Sequence, residues 1–181
     1  MNSKNITLTT LTRQDYIDKV KNHSHFEGFK PYHISKMAII VIDVIKNILA
    51  SKQSISFAPQ GNLIVVYRDT REVINPSTGN YNLVKKGYTV RFRKLPLGND
   101  YITKSVLVTL INEAIDVIDV FHAEILFDVL VDMIKDVSKG DCRVELRGLG
   151  SFNPHTRKLR GKSSTYIIKF RPTKGLINLI N

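Results

Sequence analysis

The second half of the chain changes its hydrophobic period midway. Apolar residues recur every three to four positions over 103–116 and over 121–137, which predicts two helices, with Asp119 as N-cap of the second. The period then shortens to two over 142–152 and 164–176. This part therefore predicts two strands joined by a basic hairpin and followed by a short helical tail.

The first half has the same order of elements. Thr12 is a suitable N-cap for a first helix, and Pro31 suits the start of a longer apolar helix. Two strands follow around Gly61, and a third begins at Tyr88 after a polar loop. Equivalent positions lie about half of the 181 residues apart, pairing Gly61 with Gly150, Leu63 with Phe152 and Lys52 with Lys139.

This repeat predicts two fused units. The two helices of each unit have apolar faces too large for one short sheet to cover, so the units should cover each other. A turn-like stretch, Leu97-Gly98-Asn99-Asp100, marks the boundary. We predict a loose polar leader over 1–11, a first unit over 12–97 and a second over 101–181. The predicted fold class is α+β, an intramolecular pseudo-dimer.

Positive charge is concentrated in two stretches. The chain has 27 Lys and Arg against 16 Asp and Glu, a formal net charge of +11. Residues 68–94 and 139–174 together carry +13, whereas the rest of the chain carries −2. Such concentration is typical of a phosphate-binding surface. The alternative at this point is two solvated hairpins near an anionic partner protein.

Composition argues against several classes of protein. No apolar run approaches the roughly 18 residues that a membrane span needs, and the first residues resemble no targeting signal. The single cysteine excludes an internal disulfide or a multi-cysteine zinc site. Neither a phosphate-cradling glycine loop nor a Ser/His/Asp spacing occurs. We expect a soluble intracellular protein that is not an enzyme and uses no cofactor.

Some residues suggest other chemistry, but structural roles explain them better. His23, His25 and His33 could include metal ligands, yet they link two helices without a second ligand cluster, so no metal site is expected. Cys142 begins a strand and should be a small core residue. A set of acids between apolar helix positions should form a solvated face: Asp116, Asp119, Asp128, Asp132 and Asp136.

Several motifs resemble the HU/IHF family of bacterial DNA-bending proteins, whose subunits are about half this length and pair as intertwined dimers. VELRGLGSF (144–152) resembles the family's GFGSF or GFGTF strand, and FRPTKGL (170–176) resembles its FKPGKEL tail. RDTREVINPSTG (68–79) resembles the basic arm that ends in NPxTG. The motif positions are held by Asn75, Pro76, Thr78 and Gly79.

The resemblance covers roughly 12–96 and 101–179 and implies a helical body with two saddle-like sheets and β-ribbon arms. PQGNL (59–63) replaces GFGTF in the first half. The second arm is 11 residues shorter than the first and has no tip motif. Asn153-Pro154-His155-Thr156 has similar letters but directly follows the strand, so it should lie at the arm's base. One long and one truncated arm are therefore expected.

The resemblance implies that Pro76 wedges between base pairs from the minor groove, with Asn75 and Gly79 shaping the tip. The alternative is an ordinary proline-containing turn. The residues implied to contact phosphates or line the groove in the first unit are Arg68, Arg71, Lys85, Lys86, Arg91, Arg93 and Lys94. Those in the second unit are Arg143, Arg147, Arg157, Lys158, Arg160, Lys162, Lys169, Arg171 and Lys174.

These observations predict an architectural protein that binds and bends double-stranded DNA. One wedge implies one sharp kink, and the expected place is the nucleoid, in the cytoplasm. The chain should act as a monomeric pseudo-dimer, with further self-association left open. The alternative is a scaffold that kept the fold but binds a protein or an RNA. Within DNA binding, a general packager and a site-selective factor both fit the sequence.

Overall fold

The structure is a computed structural model that describes residues 8–84, 86–94, 101–157 and 165–181. The predicted boundary at 97–100 lies outside these residues. The helices are α1 (Arg13–Lys21), α2 (Pro31–Ala50), α3 (Lys104–Ala114), α4 (Val120–Val137) and α5 (Lys174–Ile180). The strands are β1 (Thr9–Thr12), β2 (Ser54–Phe57), β3 (Gly61–Arg68), β4 (Arg71–Ile74), β5 (Tyr81–Val84), β6 (Gly87–Arg93), β7 (Tyr101–Ile102), β8 (Cys142–Leu146), β9 (Gly150–Arg157) and β10 (Thr165–Pro172).

The helices begin where their capping residues predict. The Thr12 hydroxyl accepts a hydrogen bond from the Gln14 amide at 3.1 Å, and the Thr103 hydroxyl accepts one from Val106 at 3.4 Å. These threonines precede α1 and α3, the first helix of each half. Asp119 accepts from the His122 amide at 2.9 Å and so caps α4, as predicted.

Two four-stranded sheets each combine strands from both halves of the chain. One sheet has the order β6-β3-β2-β7, and the other has the order β1-β8-β9-β10. The strand before α1 runs parallel to β8 of the second half, and the strand before α3 runs parallel to β2 of the first half. Each half therefore contributes one strand to the sheet of the other. A third, two-stranded sheet consists of β4 and β5.

The prediction of a loose leader over 1–11 is wrong for its last residues. Thr9–Thr12 forms β1, with Leu11 opposite Val144 of β8. Threonine favours strands, but four residues are too few for an alternating pattern to be recognised, and the hydrogen-bond partners of the segment lie more than 130 residues away. Residues 1–7 lie outside the described residues.

The strand registers of the two halves are equivalent. Leu63 lies opposite Phe92 in the first half, and Phe152 lies opposite Phe170 in the second. A Cβ on Gly61 would lie 2.6 Å from the Phe92 ring. At the matching Gly150, it would lie 2.5 Å from both the Phe170 ring and the Arg171 carbonyl. Only glycine lets these aromatic rings pack against the strand.

In the turn after the second helix of each half, one of the predicted equivalent pairs is wrong. Lys52 follows α2 in a left-handed conformation, with φ of 64°, and Gly140 follows α4 with φ of 92°. Glycine takes this conformation without steric cost and lysine does not. By conformation, Lys52 therefore corresponds to Gly140 and not to Lys139.

The hydrophobic core includes residues from both halves. α1 packs against α4, and α2 packs against α3 and α4. The Phe92 and Phe152 rings, one from each sheet, meet edge to face with centroids 5.6 Å apart. The fully buried Tyr16 donates its hydroxyl to the Leu126 carbonyl at 2.7 Å. The helices of one half thus cover those of the other, as the size of their apolar faces predicts.

Candidate nucleic-acid interface

The long arm consists of two strand pairs in succession. β3 and β6 leave the body with Arg68 opposite Gly87, and β4 and β5 continue outward with Ile74 opposite Tyr81. Residues 75–80 form the tip between β4 and β5. Most side chains of β4, β5 and the tip are exposed, which indicates that this part of the arm projects away from the body.

Hydrogen bonds within the tip hold its shape. The Asn75 amide donates to the Asn80 carbonyl and the Gly79 amide donates to the Asn75 carbonyl, both at 2.8 Å. The Asn75 side chain accepts from the Ser77 amide at 3.0 Å, an Asx turn around Pro76. Gly79 has φ of 70°, which glycine adopts without strain. These bonds hold an exposed proline at the end of the ribbon.

Three arginines meet at the base of this arm. Burial, and after it the positive charges of Arg91 and Arg71, lower the pKa of the Arg68 guanidinium. Its Nε atom is buried and has no hydrogen-bond partner among the described residues. Like charges held together at an unsatisfied donor favour the binding of an anion. We call Arg68, Arg71 and Arg91 the arm-base cluster.

The outer faces of the two sheets carry basic residues at matching positions. Arg93 and Arg91 lie opposite Asn62 and Ile64, so with Arg68 they share the face away from Leu63 and the core. On the other sheet, Arg171 and Lys169 lie opposite Ser151 and Asn153, and share a face with Arg157. The three equivalent pairs are Arg68 with Arg157, Arg91 with Lys169, and Arg93 with Arg171.

The remaining predicted contacts are spread over the surface. Lys86 and Lys94 are exposed at the two ends of β6, while Arg147 lies in the turn before β9 and Lys174 begins α5. Arg143 is less available than predicted, because its guanidinium lies 3.2 Å from the Glu145 carboxylate. Four predicted contacts lie outside the described residues: Lys85, Lys158, Arg160 and Lys162.

One basic residue of the candidate interface, Arg13, was not predicted. Arg13, the first residue of α1, lines an open groove of about 640 Å³ together with Arg147 and Arg171. Thr12 lies beside it as the helix cap. The sequence around Arg13 contains no signal for this position, because Arg13 reaches the groove through the pairing of β1 with β8 of the other half.

The charge on the long arm differs from the basic ribbon that was expected. The chain from Glu72 to Val84 contains no Lys or Arg and one acid. The arm's positive charge is therefore confined to its base. Large apolar side chains lie exposed farther out, among them Ile74, Tyr81 and Leu83.

The second NP dipeptide was expected directly after a strand, but it lies within β9. Pro154 of β9 lies opposite Ile168 of β10, and β9 pairs with β8 only as far as Phe152. The proline thus occupies a stretch where one edge of β9 is free, which suits a residue without an amide hydrogen. Its position cannot serve as an arm tip.

The other candidate groups have structural partners. His122 interacts with Asp119 at 2.6 Å and with the His25 carbonyl at 3.2 Å. In the part of the chain that the structure describes, no group of three or more His, Cys, Asp or Glu is placed to hold a metal ion. Cys142 is buried, and burial raises the pKa of its thiol. Asp128, one of the acids of the predicted solvated helix face, pairs with Lys104 at 2.8 Å.

The first half of the chain matches a known family. Residues 11–96, slightly less than half of the chain, match the family model described as "Bacterial DNA-binding protein". The match runs from α1 through both strands of the long arm and includes the arm-base cluster and Pro76. Over this half of the chain, the match agrees with the resemblance to the HU/IHF family of bacterial DNA-binding proteins.

A search of curated proteins found no match. Among the described residues, no helix combines the length and the apolar character that crossing a bilayer would require.

Proposed function

We propose that this protein is an architectural DNA-binding protein in which one chain does the work of two HU/IHF-like subunits. The first unit is 12–97 and the second is 101–181. Three observations support this pairing: the reciprocal exchange of β1 and β7, the equivalent strand registers, and a core shared by helices of both halves. The family match covers the first unit.

The observation that carries the proposal is the matched set of basic residues on the outer faces of the two sheets. Equivalent positions on two related units can follow one duplex across the body. Each phosphate that such a residue neutralises releases condensed counterions, which favours binding and makes it dependent on salt. These contacts position the duplex without reading its sequence. The affinity should therefore fall steeply as salt is raised.

The long arm adds bending to this binding. A two-stranded ribbon fits the minor groove, and an apolar side chain at its tip can enter between base pairs and unstack them. Pro76 suits this task because it is exposed, rigid and without an amide hydrogen that would lose its partner. The hydrogen bonds around Asn75 hold it in place before DNA arrives, which lowers the entropic cost of insertion.

The two arms are unequal, so the bend should be unequal as well. The second arm ends its described pairing at Arg157 and Thr165, and the sequence between them has no NPxTG motif. We expect one sharp kink on the side of the long arm and only phosphate attraction on the other side. A symmetric dimer with two wedges would kink the duplex twice.

The test compares two proline substitutions. Pro76→Ala should reduce bending, measured by energy transfer between dyes at the ends of a duplex, while the Kd rises less than about threefold because the phosphate contacts remain. Pro154→Ala is the matched control, since it also changes an N-P-x-T sequence but within β9. Circular dichroism checks that both variants fold. Unchanged bending in Pro76→Ala would exclude the wedge.

One observation favours a second candidate, a scaffold that binds RNA or protein. The outer part of the arm, 72–84, has no positive charge to attract the backbone of DNA or RNA and exposes large apolar side chains, which favours a protein partner for this part of the arm. A gel shift with random duplex DNA against an RNA duplex of equal length separates the candidates. The proposed function requires the DNA to bind more tightly, because the A-form minor groove of RNA is too wide and shallow for an inserted ribbon.

A further inference from the structure

Equivalent places beside the two arms are filled differently. Beside the base of the long arm, α5 packs against α2 and β6, with Leu176 and Ile180 buried. Asn181, the next residue, bonds to the backbone of Tyr88 in β6. Beside the short arm, the end of β6 and the start of β10 line an open cleft of about 550 Å³. We call it the short-arm cleft.

The strand register shows that the short-arm cleft is the counterpart of the α5 site. Tyr166, which lines the cleft, comes one residue after the strand partner of Arg157. Tyr88, beside α5, comes one residue after the strand partner of Arg68, the equivalent of Arg157. The cleft also reaches Ser138 at the end of α4, as α5 reaches α2. It therefore lies where a second helix like α5 would fit.

The exchanged strand β7 explains why no such helix is complete in the first half. Phe92 and Phe170 are equivalent, so the positions that match α5 are 96–102. The last two of these, Tyr101 and Ile102, form β7 and pair with β2. They cannot also form the last turn of a helix beside the short arm. The first half thus lacks a complete counterpart of α5, which leaves the cleft for another occupant.

The short-arm cleft combines apolar and basic residues. Its large apolar and aromatic side chains are those of Phe92, Tyr166, Ile167 and Ile168. Tyr166 and Ile167 remain 43% and 39% exposed. Among the described residues that line the cleft, those with a charge are all basic and exposed: Arg93, Lys94 and Arg157. Exposed apolar surface beside charges of one sign is typical of a binding site for a partner of opposite charge.

We propose that the short-arm cleft binds a short, acidic, amphipathic helix of another protein, in the place where a counterpart of α5 would lie. Two apolar side chains one turn apart, spaced as Leu176 and Ile180 are in α5, cover Tyr166 and Ile168. Carboxylates on the flanks of that helix pair with the three basic residues of the cleft. This inference goes beyond DNA binding and does not depend on it.

The α5 helix of a second copy fits this cleft less well. Residues 174–181 contain Lys174 and no acid, so the basic residues of the cleft repel them. To bind there, α5 would also have to leave its own site and expose Leu176 and Ile180, which costs free energy. Duplex DNA can neutralise the basic residues but offers no apolar side chains to cover Tyr166. An acidic amphipathic helix is complementary to both parts of the cleft.

The experiment uses the full chain without DNA and a fluorescein-labelled probe peptide based on residues 174–181. In the probe, glutamate replaces Lys174 and Asn178, and a hydrocarbon staple joins positions 175 and 179, which are exposed in α5. The staple holds the peptide helical and so lowers the entropic cost of binding. Fluorescence anisotropy should give a Kd on the order of 10 µM, because the cleft is much smaller than a standard interface.

Two further peptides separate the charged and apolar contributions. A peptide with lysine in place of both glutamates should bind about tenfold more weakly. A second peptide keeps the glutamates but moves its two buried apolar residues to the opposite face of the helix, and it should also bind about tenfold more weakly.

Hydrogen exchange locates the bound probe. At saturation, the probe should slow exchange of the Tyr166 amide by about tenfold, because it covers this edge of β10. The Tyr88 amide is the internal control. It should exchange at an unchanged rate, since Asn181 already occupies it.

Paired charge reversals test the basic residues of the cleft. Lys94→Glu combined with Arg157→Glu should weaken binding of the probe about tenfold. Lys19→Glu combined with Lys36→Glu is the control, because it changes the net charge equally at exposed residues that do not line the cleft. The control should keep the Kd within about twofold, since exposed charges at a distance are screened by salt. Circular dichroism checks that both variants fold.

Any of three results would overturn the inference. If the peptide with misplaced apolar residues binds as tightly as the probe, charge attraction alone explains the binding. If the probe binds without slowing exchange at Tyr166, its site lies elsewhere. If the probe does not bind at all, the cleft does not accept a helix. DNA binding, and a bend that depends on Pro76, are measured separately, so the proposed function would stand in each case.

Discussion

At the scale of single residues, the phenol of Tyr16 joins the two halves of the chain. It is fully buried on α1 and donates to the Leu126 carbonyl of α4 at 2.7 Å. Burial raises the pKa of this phenol well above its ordinary value, because a phenolate would lose its hydration. The folded protein therefore keeps Tyr16 protonated where the unfolded chain would ionise it.

Tyr16→Phe should consequently act differently at neutral and alkaline pH. Near pH 8, the lost hydrogen bond should lower the free energy of unfolding by about 1 kcal/mol. Above pH 10, unfolded wild type loses a proton that the folded protein keeps, so wild type loses about 1.4 kcal/mol by pH 11. Phenylalanine has no such proton. The stability difference should therefore fall to about zero in urea titrations at pH 11.

The exposed Tyr32 provides the control for this measurement. Tyr32 is 72% exposed, so Tyr32→Phe should change stability little at either pH. A Tyr16→Phe variant that keeps the same stability difference at pH 8 and pH 11 would contradict the buried, protonated phenol.

At the scale of elements, the helices were predicted well and the two exchanged strands, β1 and β7, were not. Thr12, Pro31 and Asp119 are local signals, and each helix begins at the residue that its signal predicts. β1 has no comparable signal. It forms because β8 of the other half offers an edge, and a pattern read along the chain does not contain that distant partner.

The candidate interface shows the same division between local and distant information. The position of Pro76 at an exposed tip could be predicted, because the NPxTG motif and the strands on either side of it are neighbours in the sequence. The placement of Arg13 beside Arg171 depends on pairing between halves. The placement of Ile74 opposite Tyr81 depends on the register of the two strands and cannot be read from their positions in the chain alone.

α5 gives an element of the second half a role at the base of the long arm. Asn181, which follows α5, accepts from the Tyr88 amide at 2.6 Å and donates to the Tyr88 carbonyl at 3.0 Å. Tyr88 belongs to β6, an edge strand. The Asn181 side chain therefore serves this edge as a partner strand would, at the point where the arm leaves the body.

Asn181→Ala should loosen the base of the arm without unfolding the body. The Tyr88 amide would lose its bond to Asn181 and open to water, so its hydrogen exchange should accelerate by tenfold or more. Asn178→Ala is the control, because Asn178 is exposed on the same helix. Equal exchange at Tyr88 in both variants would show that the side chain of Asn181 does not hold the strand.

At the scale of the whole molecule, fusion lets related halves differ without losing their pairing. Each half supplies a strand to the sheet of the other, and the helices of both halves share a core. That shared structure keeps the basic faces in fixed relation, while the NPxTG motif occurs in the sequence of the first half alone. Under the proposed function, a single wedge would give the protein a direction on DNA, because its two orientations on a duplex would be distinguishable.

Cutting the chain between its halves tests this interdependence. A protease site inserted between Leu97 and Gly98, at the predicted boundary, should allow cleavage without separating the halves. The two pieces should still sediment together near 20.6 kDa and keep their circular dichroism, because neither sheet is complete without a strand from the other half. Cleavage at a site placed in the exposed tip, between Ser77 and Thr78, should leave the body equally intact but abolish DNA bending. If the two pieces separate at micromolar concentration and each keeps helical structure of its own, the halves fold independently. The pseudo-dimer, and with it the fixed relation between the two basic faces, would then be wrong.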